Sequence, residues 1–541
     1  MFPKFAVTGA LAALLCTSAI AGGHATHPET GEALAEDQTL TYRIGDGIPT
    51  LDPQLIEDTT SFHVARQLYE GLVTQDLDGS ILPGVAESWE ASNGNLTWTF
   101  TLREDAKWSN GDPVTSADFI AGWTRAMDPA TASPYAWYLE LTSIVNAKEV
   151  LAGEADVSTL GVSAPDDYTL VVNLTAPLPY FPSMMSFATL FPIHMATVEA
   201  HGADWTKPEN MVNNGAYNLA SRVVGERIEL VKSDTYWDAE NTIITDITGL
   251  VINDANQALT RWKAGELDYM DDLPPGQFPA LQAEYPDETF SSPRLCSYYY
   301  AMNQTESGHP SLQDERVRLA LSLAIDRDVI VDQVLKGGQT AAYNFTHYAT
   351  AGFTMPEIEV ASLSQGERDA MAKALWSEAM GDETPTYKLL YNTSESHKAI
   401  ATVVSQMWKQ KLGVSTELAN FEWKTYLGIR GEQQFDIARS AWCGDYNEAS
   451  TFLDLLTSTH SSNDGKYSNA RVDELMAASK TADDPQPLYT EVEQIAMGEA
   501  GIAPIYHYAN TFLLHEGYKG WAAENVENNW YVKDQYRVAT D

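Results

Sequence analysis

The chain of 541 residues carries 75 Asp plus Glu against 33 Lys plus Arg, a formal net charge of -42. That balance argues against nucleic acid and against anionic membrane surfaces, both of which demand basic side chains. With 44% hydrophobic residues, 14 Trp and 26 Tyr, the sequence is that of a folded protein with several buried cores, about two to four domains. The excess charge reads as a solvated acidic surface, screened by salt within about 10 Å.

In chain order, the first residues form a targeting segment. Lys4 supplies the positive start, residues 5–15 an apolar stretch too short to span a bilayer, and Ala19-Ile20-Ala21 the small-x-small form of a cleavage site. Residues 1–21 are thus predicted to be removed and the mature chain to begin at Gly22. Leu15 precedes Cys16 where a lipoprotein site needs a small residue, so Cys16 belongs to the discarded segment. No later run approaches the ~18 apolar residues of a membrane span. The mature protein is expected to be soluble and exported. Its new terminus, Gly22-Gly23-His24, offers an amine, two amide nitrogens and an imidazole, a square-planar set for Cu(II) or Ni(II). Its other reading is a flexible polar leader.

Export leaves two cysteines, Cys296 and Cys443. In an oxidising compartment they are expected to pair, closing a loop of roughly 150 residues that the chain-entropy model values at about 4–5 kcal/mol. The alternative is two buried free thiols.

Residues 39–45 alternate as a strand, and 61–72 read as a helix. Residues 96–102 are a strand, followed by a turn-rich segment at 105–113. Thr115 is placed to cap a helix over 116–127, with Asp118 at its third position. Strands are predicted over 168–175, 227–232 and 242–253. Residues 312–336 read as two consecutive helices, the second capped by Asp326 and ended by Gly337. Over 397–412, Ile400, Val403, Val404, Met407, Trp408 and Leu412 form a helical core stripe, ended by Gly413. A strand begins at 414 and another covers 502–514. Interspersed strands and helices without a 20–50-residue repeat indicate a mixed α/β protein.

One stretch concentrates chemistry. A short strand at 435–438 leads into Arg439-Ser440-Ala441-Trp442-Cys443-Gly444-Asp445, and a helix follows at 450–456. A cation, an indole, a thiol and a carboxylate at a strand end can hold a ligand carrying both charges; the plain alternative is a loop with a salt bridge. The sequence lacks a Gly-x-Ser-x-Gly elbow, His-Glu-x-x-His, a phosphate-cradling loop and Cys-x-x-Cys.

Short phrases in a fixed order carry a resemblance. They are Thr50-Leu51-Asp52-Pro53, Pro83-Gly84-Val85-Ala86-Glu87-Ser88-Trp89, Trp98-Thr99-Phe100, Lys107-Trp108-Ser109-Asn110-Gly111, Asn214-Gly215-Ala216-Tyr217, Asp314-Glu315-Arg316-Val317-Arg318 and Trp442-Cys443-Gly444-Asp445-Tyr446-Asn447-Glu448. From about residue 40 onward the chain resembles the periplasmic oligopeptide-binding proteins of ABC importers, within solute-binding protein family 5, the peptide and nickel type. The resemblance implies an α/β, two-lobed Venus-flytrap fold with an additional α/β domain on the first lobe. Lobe one would comprise 22–69, 195–295 and 510–541, the extra domain 70–194, and lobe two 296–509. It further implies a periplasmic, monomeric, non-enzymatic receptor without a cofactor or bound metal. Such a receptor binds short peptides and delivers them to an inner-membrane ABC permease.

By the same resemblance, Asp445 receives the peptide's α-ammonium, while Arg439, Arg430 and His397 receive carboxylates at different peptide lengths. Cys443 and Ala441, with Thr59 from the other lobe, offer backbone groups. Trp423, Trp442, Tyr135 and Tyr299 form pocket walls, and Glu57 and Asp271 complete the ligand-binding set. Four positions depart from the family pattern. Ala441 replaces Gly, Asp271 a neutral Asn, Leu335 a Lys (with Lys336 adjacent), and Ala301 an acidic residue. The rival readings are a receptor for another solute, such as a murein peptide or a metal chelate, and a secreted peptide hydrolase.

Overall fold

The computed structural model describes residues 25–539. The leader, its cleavage site and Gly22-Gly23-His24 lie outside the described residues. The architecture is built on two long antiparallel strands, Thr289–Met302 and Ala503–Leu514, at the middle of an 11-stranded mixed sheet. The second strand is buried along nearly its whole length, apolar for the most part with His507, Asn510 and Thr511 buried among the rest. The register between them shifts from Pro293 to Ser297, where proline has no N–H to give the ladder. On one side of this break Thr289 to Pro293 pair with Leu513 to Ala509; on the other Ser297 to Tyr300 pair with His507 to Ala503.

Each side of the break carries one lobe. Beside Ala503–Leu514 stand Tyr269–Asp271, Thr39–Ile44, Asp246–Val251, Arg227–Lys232 and Tyr217–Val223, in that order. Beside Thr289–Met302 stand Ile437–Cys443, Thr386–Asn392 and Ser415–Phe421. The second lobe has its own core of Tyr298, Tyr300, Val404, Trp408 and Ile505. A separate four-stranded antiparallel sheet, ordered Ala86–Ser92, Thr97–Leu102, Thr169–Asn173 and Val162–Asp166, stands next to the first lobe with helix Ser116–Met127. Asp118 starts that helix by receiving both the N–H and the hydroxyl of Thr115, at 2.7 and 3.0 Å. Arg125 on the same helix makes a two-pronged pair with buried Asp52, at 2.8 and 2.6 Å. Asp52 also accepts from the indole of Trp205. The Leu51-Asp52-Pro53 phrase thus ties the additional sheet to the first lobe.

Several elements differ from expectation for visible reasons. The helix predicted over 61–72 is Thr59–Leu68, and Tyr69 is already extended. The carbonyl of Leu68 is taken from outside the helix by the N–H of Gly215 at 2.8 Å. A Cβ on Gly215 would lie 2.5 Å from the Leu68 backbone carbon, so only glycine permits that approach. Helix Glu315–Leu323 and the Asp326 cap are present. The segment after Asp326 then widens into a π-type winding over Ile330–Leu335. Lys336, with φ 56°, takes the left-handed terminal position expected of Gly337. Helix Glu395–Leu412 buries Ile400, Val404, Trp408 and Leu412, and Gly413 ends it at φ 75°.

Candidate ligand-binding cavity

The strand predicted to end at 438 runs on to Cys443. Its whole length is held by the central strand, Ile437 opposite Met302 through Cys443 opposite Cys296, which extends it through the polar residues that local pattern reads as a loop. Cys296 and Cys443, directly opposite each other with Cα atoms 3.9 Å apart, form a disulfide. On its other side the same strand pairs with Leu389 and Leu390 only through Ile437 and Ala438. Beyond Ala438 that edge has no strand partner; the Arg439 carbonyl accepts from the Tyr426 hydroxyl, and from Ala441 to Cys443 the edge is open and borders a cavity of about 270 Å³.

All thirteen residues expected to touch ligand line this cavity: Glu57, Thr59, Tyr135, Asp271, Tyr299, His397, Trp423, Arg430, Arg439, Ala441, Trp442, Cys443 and Asp445. Their states differ. Asp445 is 8% exposed, and its Oδ2 has no hydrogen-bond partner. Burial pushes its carboxyl well above the usual carboxylate range; Glu527 adds to the rise and Arg66 opposes it. Arg439 is buried and makes no ion pair among the described residues. It donates to Asn392 at 3.3 Å and to the Tyr508 hydroxyl at 2.9 Å, while its Nε has no partner.

Two expected cations are not free to act as such. Arg430 is paired with buried Asp464 at 3.0 Å and donates to Ser440 at 3.2 Å. The imidazole of His397 is held well below its ordinary value, by burial first and by Arg439 second, so it is neutral; its Nδ1 has no partner. Trp423 and Trp442 both present unpartnered indole nitrogens, which polar ligand groups could use. Tyr135 packs against Phe62 and Phe187, and Tyr299 against Phe345. Leu335 reaches the cavity, whereas Lys336 is exposed and outside the lining, so the adjacent lysine does not replace the missing one.

The cavity also holds charges that the sequence did not single out: Arg43, Asp46, Asp58, Arg66, Asp272, Arg294, Asp464 and Glu527. They come from loops, strands and a helix far apart in the chain. In a sequence with 75 acidic residues no pattern marks them. The Asp58 cap on helix Thr59–Leu68 is the one with a local signal, its Oδ1 accepting from the Ser61 N–H at 2.9 Å. Among the described residues, no group of three or more His, Cys, Asp or Glu is placed to hold a metal ion.

Two lobes joined by paired strands around an enclosed, charge-lined cavity define a solute receptor that works by closing on its ligand. The chain belongs to the bacterial extracellular solute-binding proteins, family 5, which it matches over residues 80–464. It is 42% identical over 540 residues to the periplasmic murein peptide-binding protein MppA of Escherichia coli (strain K12), covering 99% of each chain. It is 41% identical over 536 residues to the periplasmic oligopeptide-binding protein OppA of the same organism, covering 98% of this chain and 97% of that one. The solved structure of the Escherichia coli murein tripeptide binding protein MppA superimposes with a TM-score of 0.91, at 42% identity, covering 94% of this chain and 100% of that one. The unliganded open form of the murein tripeptide binding protein MppA, at the same identity and covering 94% and 99%, gives only 0.68. The lobes of this chain therefore depart from the open arrangement and stand closed over the cavity.

Proposed function

We propose that this protein is a periplasmic receptor that binds short peptides between its lobes and delivers them to an inner-membrane ABC permease. The observation that carries this reading is the open strand edge from Ala441 to Cys443, flanked by a guanidinium without an ion pair at Arg439 and an unpartnered carboxylate oxygen at Asp445. An extended peptide adds to such an edge through its main chain, with Ala441, Cys443 and, across the cavity, Thr59 as partners. Asp445 receives its α-ammonium and Arg439 its α-carboxylate. From Arg439 to Asp445 the chain advances six residue steps, at most ~20 Å when extended, which bounds a peptide held at both ends to a few residues. Trp423, Trp442, Tyr135 and Tyr299 wall the side-chain pockets, where water can complete contacts to varied side chains.

The lobes divide as lobe one over 22–69, 195–295 and 510–541, the additional domain over 70–194 and lobe two over 296–509. The leader is cleaved near Ala21, and the receptor acts as a monomer. Its identities to the murein peptide and oligopeptide relatives, 42% and 41%, support a peptide ligand without favouring either. Calorimetry with tri-alanine tests the reading. Saturable binding with the tripeptide recovered intact is expected; its cleavage at enzyme-like rates would turn the reading to a peptide hydrolase, and no binding would turn it to another solute.

A further inference from the structure

The additional four-stranded sheet is fixed to the first lobe, yet its unit also touches the second. The pair between Arg125 and Asp52 ties helix Ser116–Met127 to the first lobe, so the unit moves with that lobe when the cavity opens. Helix Trp137–Leu141, packed through Ala147–Leu151 on helix Ser116–Met127, reaches across to the second lobe, and so does Tyr180. Tyr180 lies flat on Tyr446, with ring centres 5.7 Å apart and planes 8° from parallel. Trp137 packs against His460 at 4.2 Å and Trp442 at 6.0 Å, and Tyr138 meets Tyr446 edge-on at 6.4 Å. Trp137, Tyr138 and Tyr446 are buried.

Both faces of this aromatic seam are held from behind. Phe181, next to Tyr180, stacks on Trp98 of the additional sheet at 5.9 Å, and the Tyr138 hydroxyl donates to the Met184 carbonyl at 3.2 Å. On the second lobe the Tyr446 and Ser450 hydroxyls are 2.8 Å apart, and the N–H of Asp445 donates to Thr451 at 3.0 Å. Tyr446 directly follows Asp445, but the cavity lining includes neither Tyr446 nor Trp137, Tyr138, Tyr180 or His460. Moving the lobes apart separates these rings and returns them to water, so the seam belongs to the closed form and opposes its opening. We propose that the additional domain is a latch: its seam with Tyr446 and His460, outside the cavity, holds the second lobe closed and sets how long a bound peptide stays. This inference rests on the peptide reading above.

The test measures both rate constants for radiolabelled tri-alanine in the unsubstituted protein, Tyr180→Ala and Tyr180→Phe, release being followed after a chase with excess unlabelled peptide. Losing a stacked ring at a closed seam should make release from Tyr180→Ala about tenfold faster. Association should not change, because the peptide enters the open form, where the seam is absent; an unchanged association rate also shows that the variant is folded. Tyr180→Phe keeps the ring and should release peptide within about twofold of the unsubstituted protein. Release from Tyr180→Ala at the unsubstituted rate, an effect confined to association, or equal acceleration in Tyr180→Phe would overturn the latch and leave the peptide reading standing. Failure of tri-alanine to bind the unsubstituted protein would overturn both.

Discussion

Asp445 and Arg439 are buried charges without an ion-pair partner, and on the same wall they invite a ligand of opposite polarity at each end. Asp445→Asn keeps the shape and removes the charge. Peptides with a free amino terminus should bind about 10- to 100-fold more weakly to it, and N-acetylated peptides equally to both proteins. Because burial already opposes the ionised carboxyl at 445, the melting temperature of the empty variant should not fall. A variant that binds free and acetylated peptides like the parent contradicts the ammonium role. Arg439→Gln should act likewise on the free carboxy terminus, with C-terminally amidated peptides unaffected, in the same calorimetric series. The mix of charges at a strand end singled out this stretch in the sequence, and the resemblance to a known motif gave each of the two residues its expected role. Other phrases of that resemblance hold structure and not ligand. Arg318, for instance, spends its guanidinium on the carbonyls of Leu312, Gln313, Glu499 and Ala500. Asp46 and Glu527 had no signal, because their chemistry comes from burial and from neighbours brought close only by folding; Asp58 signalled only its helix cap.

At the scale of elements, the strand Ala503–Leu514 and the helix Glu395–Leu412 were read from local pattern, whereas the other central strand, Thr289–Met302, was missed although its second half is buried throughout. Errors fell where tertiary pairing overrides local pattern. The strand Ile437–Cys443 continues through polar residues because the central strand pairs with every one of them. The helix at 59–68 stops early because Gly215 captures the Leu68 carbonyl. The Cys296–Cys443 disulfide joins two neighbouring strands at the cavity wall across a separation of 147 residues. Replacing both cysteines by serine should lower stability by about 2–5 kcal/mol in urea unfolding and raise the slope of the transition, because the denatured chain freed of a cross-link across 147 residues exposes more surface. An unchanged midpoint would show that the strand pairing alone holds the wall. Gly215→Ala should also destabilise, since its Cβ would meet the Leu68 and Tyr69 backbone at 2.5 and 2.6 Å.

For the whole molecule, closing the lobes over an empty cavity gathers carboxylates that burial disfavours. Burial, reinforced by Asp272, raises Asp46 to about 7 and Asp271 to about 6. Burial raises Asp58 to about 6 and Glu527 to about 7. A carboxyl whose value is raised on closing binds its proton better closed than open. Its help to the empty closed form is therefore complete below about pH 4 and is lost as pH rises through 6 to 7. The imidazoles of His63 and His397, which line the same cavity and are held well below their ordinary value by burial, act in the opposite direction; the raised carboxyls outnumber them, so the empty protein should be more closed at pH 5 than at pH 8, read as a smaller radius of gyration by small-angle X-ray scattering. An open empty form with the same radius at both pH values contradicts this coupling. The two-lobed α/β fold was legible from the order of short motifs. The closed arrangement was not, because it is a property of how the lobes meet.

Native mass spectrometry of the purified protein, before and after mild denaturation, tests the central proposal most directly. A set of co-purifying masses matching mixed peptides a few residues long is expected. A single mass that no peptide composition can produce, or a metal chelate, would contradict it and would remove the assignment of Asp445 and Arg439 to the peptide termini.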